Sequence, residues 1–268
     1  MSGELAFVGL GLCDEKDLSL RGLEAIEEAD TVFAELYTSL MPAFSISKLE
    51  RLGGKNIIIA SRHDLEEEAG QKILEAAKQG RTALLVPGDP LIATTHVDLR
   101  IRAENEGIKT RIIHGASIVS AVIGLSGLQN YKYGRSVTIP FADELAAVET
   151  PYRVIMENKK RGLHSLCFLD IKAEEKCYMT IQYGLEALLA MEKTKQRGVV
   201  TADTLAVGIA RAGSDNSTIK AGHVMELASF DFGPPPHSLI FPGRLHFVEA
   251  EALITLAEAP ESVRDMAK

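Results

Sequence analysis

The first hundred residues alternate short apolar runs with stretches whose apolar positions recur every three or four residues. Residues 4–10 (ELAFVGL) are a run of the first kind and read as a strand that breaks at Gly9 and Gly11. Leu20, Leu23, Ile26 and Ala29 then recur every third residue, with Glu24, Glu27 and Glu28 on other faces; this predicts a helix with Asp17 as its N-cap. Residues 31–36 (TVFAEL) and 56–60 (NIIIA) are the next strands, separated by a loop around residues 38–42. A helix over 66–79 stopped by Gly80, a strand over 82–86 (TALLV), a helix over 94–105 ended by Gly107 and a strand over 109–113 complete the series. Such alternation predicts a parallel sheet covered by helices.

The pattern changes after His114-Gly115. Residues 116–127 (ASIVSAVIGLSG) read as a buried helix of small residues that passes close to other backbone. Strands follow at 136–140, 165–171, 204–210 and 238–242, with helices between them, notably over 177–193. The prediction is two α/β domains, 1–114 and 115–268, without internal repeats or low-complexity tracts.

Composition narrows the function classes. With 46% hydrophobic and 25% charged residues the chain has a globular profile. The 37 acids against 29 bases give a net charge of −8, which disfavours broad contact with nucleic-acid phosphates. The cluster Lys159-Lys160-Arg161 reads as a solvated face, with an acidic partner as the other reading. Met1-Ser2-Gly3-Glu4 lacks the basic region of a signal peptide, and no stretch is long enough to span a bilayer, so no membrane association is expected. Cys13, Cys167 and Cys177 are odd in number and widely spaced; a cytoplasmic protein with reduced thiols is expected. The seven histidines form no HExxH pair or cysteine cluster, and no metal site is assigned.

Gly9-Leu10-Gly11 sits between a strand and a helix, where a dinucleotide fingerprint would lie, and Glu35 stands where a ribose-binding acid would. Asp14 occupies the third glycine position, however, and Asp14, Glu15 and Asp17 together would repel a phosphate at a helix start. A cofactor without phosphate escapes that objection; a tight strand–helix turn is the other reading, and both stay open. Pro87-Gly88-Asp89-Pro90 is the sharper feature. It closes a strand, where open α/β sheets place ligands, and it presents Asp89 on a restricted turn. Asp89 reads either as an acceptor for ribose hydroxyls or a cofactor amino group, or as a cap for the next helix.

A longer set of motifs carries a family resemblance. In order these are Gly9-Leu10-Gly11, Val86-Pro87-Gly88-Asp89-Pro90 with Leu91-Ile92-Ala93-Thr94-Thr95-His96, and His114-Gly115-Ala116-Ser117-Ile118. TIQYGLEAL at 180–188, Ala210-Arg211-Ala212-Gly213-Ser214-Asp215, Pro235-Pro236-His237-Ser238-Leu239-Ile240 and Pro242-Gly243-Arg244-Leu245-His246 follow. Over residues 4–260 this set closely resembles the diphthine synthase family, within the tetrapyrrole-methylase-like (class III) methyltransferases. The resemblance implies two α/β domains with S-adenosylmethionine folded into the cleft between them, S-adenosylhomocysteine as product, and a homodimer. It implies cofactor-binding roles for Leu10, Asp89, Ile92, Ser117, Ile118, Leu169, Ala212 and His237. It also implies repeated methylation of the amino group of a 3-amino-3-carboxypropyl chain on a histidine of elongation factor 2, giving diphthine. Another class III methyltransferase acting on a tetrapyrrole or ribosomal RNA, and a dinucleotide-dependent oxidoreductase, are the alternatives. Methyl transfer from a sulfonium needs alignment and desolvation more than a catalytic triad, and the sequence shows none. The acceptor nitrogen must first lose a proton, and the sequence names no group that takes it.

Overall fold

A computed structural model of the chain describes residues 3–141 and 145–267. They divide into two units, residues 3–118 with the turn at 173–175, and residues 119–172 with 176–267. The division falls at the first turn of a helix, just beyond the residue-114 boundary read from the sequence.

In the first unit β1 (Glu4–Gly9) is buried on both faces, which is why it reads as an unbroken apolar run. Ala6 and Val8 enter one core with Ala25 and Ile26 of α1 (Leu20–Glu28) and Leu49 of α2 (Ile46–Gly53). Leu5 and Phe7 enter another with Ile73 and Leu74 of α3 (Gln71–Gln79) and Leu99 of α4 (His96–Asn105). With β2 (Thr31–Glu35), β3 (Ile57–Ala60), β4 (Arg81–Val86) and β5 (Lys109–Ile113), β1 forms a fully parallel sheet of order β3-β2-β4-β1-β5. The chain leaves β1 toward β2 and β3, whereas it leaves β4 for β5 on the other side of β1. The carboxyl ends of β1 and β4 thus form the switch point at which such sheets bind ligands.

Two local expectations change here. Ser19, not Asp17, caps α1, its Oγ accepting from the Gly22 amide at 3.1 Å. The expected helix over 66–79 is split, because Gly70 takes a left-handed φ of +68° between a π turn at His63–Glu67 and α3.

The second unit contains α5 (Ile118–Ser126) and a mixed sheet built from β6 (Val137–Ile139), β7 (Ser165–Leu169), β10 (Leu205–Ala210), β11 (Thr218–His223) and β12 (His237–Phe241). Its order is β11-β10-β12-β7-β6, antiparallel except for β6 with β7. Between β6 and β7 runs α6 (Glu149–Lys160). A short hairpin, β8 (Ile171–Lys172) with β9 (Cys177–Tyr178), leads into α7 (Ile181–Lys195). The helix expected from residue 177 starts later because Thr180 caps it, its Oγ1 accepting from the Tyr183 amide at 3.3 Å. A four-residue α8 (Val224–Leu227) and α9 (Phe247–Ala257) complete the unit. The segment expected to be a buried helix is mostly open: in α5 only Val122 and Ser126 are buried, and a methyl on Gly124 would meet nothing within 4 Å. The close approach comes one residue past the helix, at Gly127 against Ala252.

Glu249 anchors α9. Its buried carboxylate accepts from the amides of Gln129 (2.9 Å) and His246 (2.8 Å), from Nε2 of His164 (2.9 Å) and from the Lys132 ammonium. His164 receives the Gly243 amide at Nδ1 (2.9 Å), so Nε2 carries the proton and the ring is neutral. Burial holds the imidazole below its ordinary value, while these donors hold Glu249 down at about 2 despite its burial. The Pro242–His246 motif is therefore explained by packing. Lys159 is likewise engaged internally, on the carbonyls of Gly198 and Val199. Among the described residues no helix is long and apolar enough to cross a membrane.

Candidate functional site

Three glycines let the carboxyl ends of β1, β4 and β5 meet. A methyl on Gly9 would stand 2.5 Å from the Gly115 nitrogen and 2.6 Å from the Gly88 carbonyl oxygen; one on Gly115 would stand 2.4 Å from that same oxygen. Gly11 and Gly88, at φ +83° and +73°, exchange backbone hydrogen bonds of 3.2 and 2.7 Å. Ala116 passes over Gly88, its carbonyl oxygen 4.0 Å from where a Gly88 side chain would begin. The result is a floor of bare backbone at the strand ends.

Asp89 rises beside this floor. It is 6% exposed; Oδ1 accepts from the Leu91 amide at 3.1 Å, and Oδ2 lies 2.7 Å from Nδ1 of His114. A carboxylate only accepts, so Nδ1 is the donor and carries its hydrogen. The His114 ring is 74% exposed, which leaves Nε2 accessible. His114 stood in the sequence only as a motif member. Nothing in the sequence set it against Asp89, because that contact follows from β4 and β5 flanking β1.

The loop after Asp89 is closed from within. Thr94 Oγ1 and His96 Nδ1 both lie 3.2 Å from the Pro90 carbonyl oxygen. Ala93 holds a left-handed φ of +58°, a strained conformation for a residue with a side chain. Beneath the loop, His96 Nε2 faces Glu35 Oε1 at 3.8 Å, both groups fully buried. Burial pushes Glu35 up to about 7 and His96 below its ordinary value, so near neutral pH Glu35 is about half protonated and both groups favour their uncharged forms more than they would in water.

The dinucleotide reading fails on geometry as well as charge. Asp17 Oδ2 takes the amides of Leu12 (2.9 Å) and Cys13 (2.7 Å), the donors a phosphate would need. Glu35 accepts from the Tyr37 and Thr38 amides (3.2 Å each) and the Thr38 hydroxyl (2.6 Å), so a ribose has no access to it. A grouping of His63, Asp64 and Glu68 elsewhere in this unit has metal-ligand composition, but Lys72 Nζ lies 2.6 Å from Asp64 and 3.4 Å from Glu68 and meets their charge.

Of the predicted site residues, Leu10, Asp89, Ile92, Ser117 and Ile118 fall in the first unit. Leu10 is buried, its side chain in the sheet core and its amide on the Val86 carbonyl; Ile92 is exposed, and Ser117 and Ile118 are half-buried. The other three gather at one end of the second unit's sheet. The β10–β12 register sets Ala210 opposite His237, and the β12–β7 register sets Ser238 opposite Phe168, which brings Leu169 beside His237. Arg211, at φ +51°, donates its amide to the Pro236 carbonyl, and its guanidinium holds the carbonyls of Phe232, Pro234 and Asn216 and the Thr218 hydroxyl. Ala212 therefore sits on a clamped loop. His237 spends both ring nitrogens on backbone: Nδ1 accepts from the Ile181 amide at 3.2 Å and Nε2 donates to Gly233 at 3.1 Å. Asp170, which the sequence left out of the site, orders the neighbouring turn by accepting from the Phe141 and Ile171 amides, 2.9 Å each.

Comparison with known proteins gives this geometry a context. The family Tetrapyrrole (Corrin/Porphyrin) Methylases matches residues 4–228. A diphthine synthase of Methanocella arvoryzae is 51% identical over 253 residues, covering 94% of this chain and 98% of the relative. One from Methanosarcina mazei is 49% identical over 266 residues, covering 97% and 98%. A crystal structure of diphthine synthase superposes with a TM-score of 0.90 at 43% identity, covering 98% of this chain and 100% of that one.

Proposed function

Because the chain belongs to the diphthine synthases, the tetrapyrrole methylases of diphthamide biosynthesis, we propose that it holds S-adenosylmethionine at the strand ends around Asp89. The chain is a methyltransferase, and the proposal concerns its residues and its substrate. Leu10, Asp89, Ile92, Ser117 and Ile118 of the first unit and Leu169, Ala212 and His237 of the second serve the cofactor. When bound, the cofactor supplies a methyl group on a sulfonium and leaves as S-adenosylhomocysteine.

What supports this reading is the buried carboxylate of Asp89 standing on a floor of glycine backbone. Bare backbone admits flat or extended groups, and a fixed carboxylate accepts hydrogen bonds from ribose hydroxyls or a cationic amino group. The internal use of the Leu12 and Cys13 amides by Asp17 favours a cofactor without phosphate. With both ring nitrogens engaged, His237 has its main chain and ring face left for the ligand. Asp89→Ala is expected to weaken S-adenosylhomocysteine binding at least tenfold, about 1.4 kcal/mol, while the protein stays folded. Calorimetric titration reads this directly, and an unchanged affinity in a folded variant rejects the assignment.

The methyl acceptor we propose is the amino group of the 3-amino-3-carboxypropyl chain on a histidine of elongation factor 2, methylated repeatedly to diphthine by a cytoplasmic homodimer. A net charge of −8 suits a protein partner better than a nucleic acid. Mass spectrometry of the modified factor after incubation with enzyme and cofactor is expected to count three added methyl groups; a fourth would indicate a methyl ester, and none would refute the substrate.

A further inference from the structure

We infer that His114 takes the proton from the amine that is methylated, with Asp89 fixing its ring in the accepting tautomer. The inference rests on the substrate reading above. An aliphatic ammonium titrates near roughly pH 10 and has no lone pair, so every methylation of an amine begins with the loss of a proton.

The groups around the strand ends can be taken in turn. Asp89 is buried, with both oxygens already accepting. Glu35 is buried beneath three donors of the Tyr37–Thr38 turn, and His96 is buried with Nδ1 on the Pro90 carbonyl. Asp17 is committed to two loop amides, and Glu15 to the Ser45 amide. His114 differs from all of them. Its ring is exposed, and its Nδ1–H is spent on Asp89, so the neutral ring presents Nε2 as a lone pair. Among the described residues Asp89 is the carboxylate that pairs with that ring within 4 Å, and its charge offsets the imidazolium that forms. His114 also directly precedes Gly115 of the backbone floor and lies three residues from Ser117.

In the step assigned to it, the ammonium N–H bond breaks and the proton passes to Nε2. The electron pair of that bond stays on nitrogen and becomes the nucleophile. The imidazolium afterwards gives its proton to water through the exposed Nε2. The same acceptor serves each of the successive transfers, and the quaternary product has no proton left to lose.

His114→Asn tests this, because its amide nitrogen can still donate to Asp89 but offers no base at the Nε2 position. With the modified elongation factor 2 as substrate, kcat at pH 7 is expected to fall about 100-fold, the usual worth of a positioned proton acceptor. The dissociation constant for S-adenosylhomocysteine should stay within threefold. The deficit should shrink as the pH is raised toward the amine's own pKa, where solvent supplies the free amine. Independently of turnover, imidazole nitrogen shifts of the free protein should report the Nδ1–H tautomer at His114, and Asp89→Asn should abolish that preference. A kcat within threefold of wild type, or a deficit that does not change with pH, overturns the role. So does a loss of cofactor affinity that accounts for the whole activity loss, since His114 would then act only through the Asp89 anchor. Wild-type protein that binds S-adenosylhomocysteine but never methylates the factor overturns the substrate reading, and this inference with it.

Discussion

Asp17 decides what the turn after β1 can bind. The residue spacing suggested a helix cap and a source of repulsion for phosphate, but its carboxylate instead folds back onto the amides of Leu12 and Cys13. Its neighbours behave alike: Asp14 accepts from the Lys16 amide and Glu15 from that of Ser45. These acids exclude an anionic ligand less by their charge than by consuming its donors. Asp89 makes the opposite use of a carboxylate. It does not cap the next helix, which begins after Thr95; one oxygen closes the local turn on the Leu91 amide, and the other goes to a residue from another strand.

At the scale of elements, the floor beside Asp89 exists because three parallel strands end at the same level with glycines where they meet. Gly115→Ala tests that arrangement. Its Cβ would stand 2.4 Å from a backbone oxygen that cannot rotate away, so β5 must shift from β1 and β4. The expected cost is about 2 kcal/mol in urea unfolding, together with weaker S-adenosylhomocysteine binding as His114 moves from Asp89. The same substitution at Gly54, where a new Cβ meets nothing within 4 Å and only the left-handed φ of +64° adds strain of about 1 kcal/mol, should cost less and leave binding unchanged. Much of this level was legible in the sequence. The strands of the first unit are buried on both faces and announce themselves as apolar runs, and the Pro87–Pro90 turn marks a strand end without any knowledge of the sheet. Strand order was not legible, and the Asp89–His114 contact depends on it. Other misses have local causes. The edge strand β11 (TIKAGH) buries only Ala221 and Gly222 and shows no alternation to read. Conversely, α5 is apolar enough to look buried, yet most of its residues are half-exposed. Hydrophobicity signals burial but does not say whether the same chain provides the cover.

For the whole molecule, the two units place oppositely perturbed carboxylates in their interiors, and its stability should therefore respond to pH differently in each. Glu35 of the first unit is raised by burial from 4.5 to about 7. Its contribution is full below 4.5 and is lost as the pH rises through 7, on the order of 3 kcal/mol if the shift is expressed entirely in folding. Glu249 of the second unit is lowered to about 2, as is Glu192, which accepts from the amides of Gly198, Val199 and Val200. Their contributions are present above 4.5 and are lost as the pH falls through 2. Glu35→Gln, which cannot ionise, should therefore melt increasingly above wild type as the pH is raised from 5 to 8.5 in scanning calorimetry. Glu249→Gln should melt well below wild type near neutral pH, by roughly 3 kcal/mol for a broken buried charge network, and the gap should narrow as the medium is acidified. Difference curves of opposite slope are the required result. If both variants instead run parallel to wild type across the range, neither carboxylate titrates with folding, and the raised titration of Glu35 beside His96 is wrong.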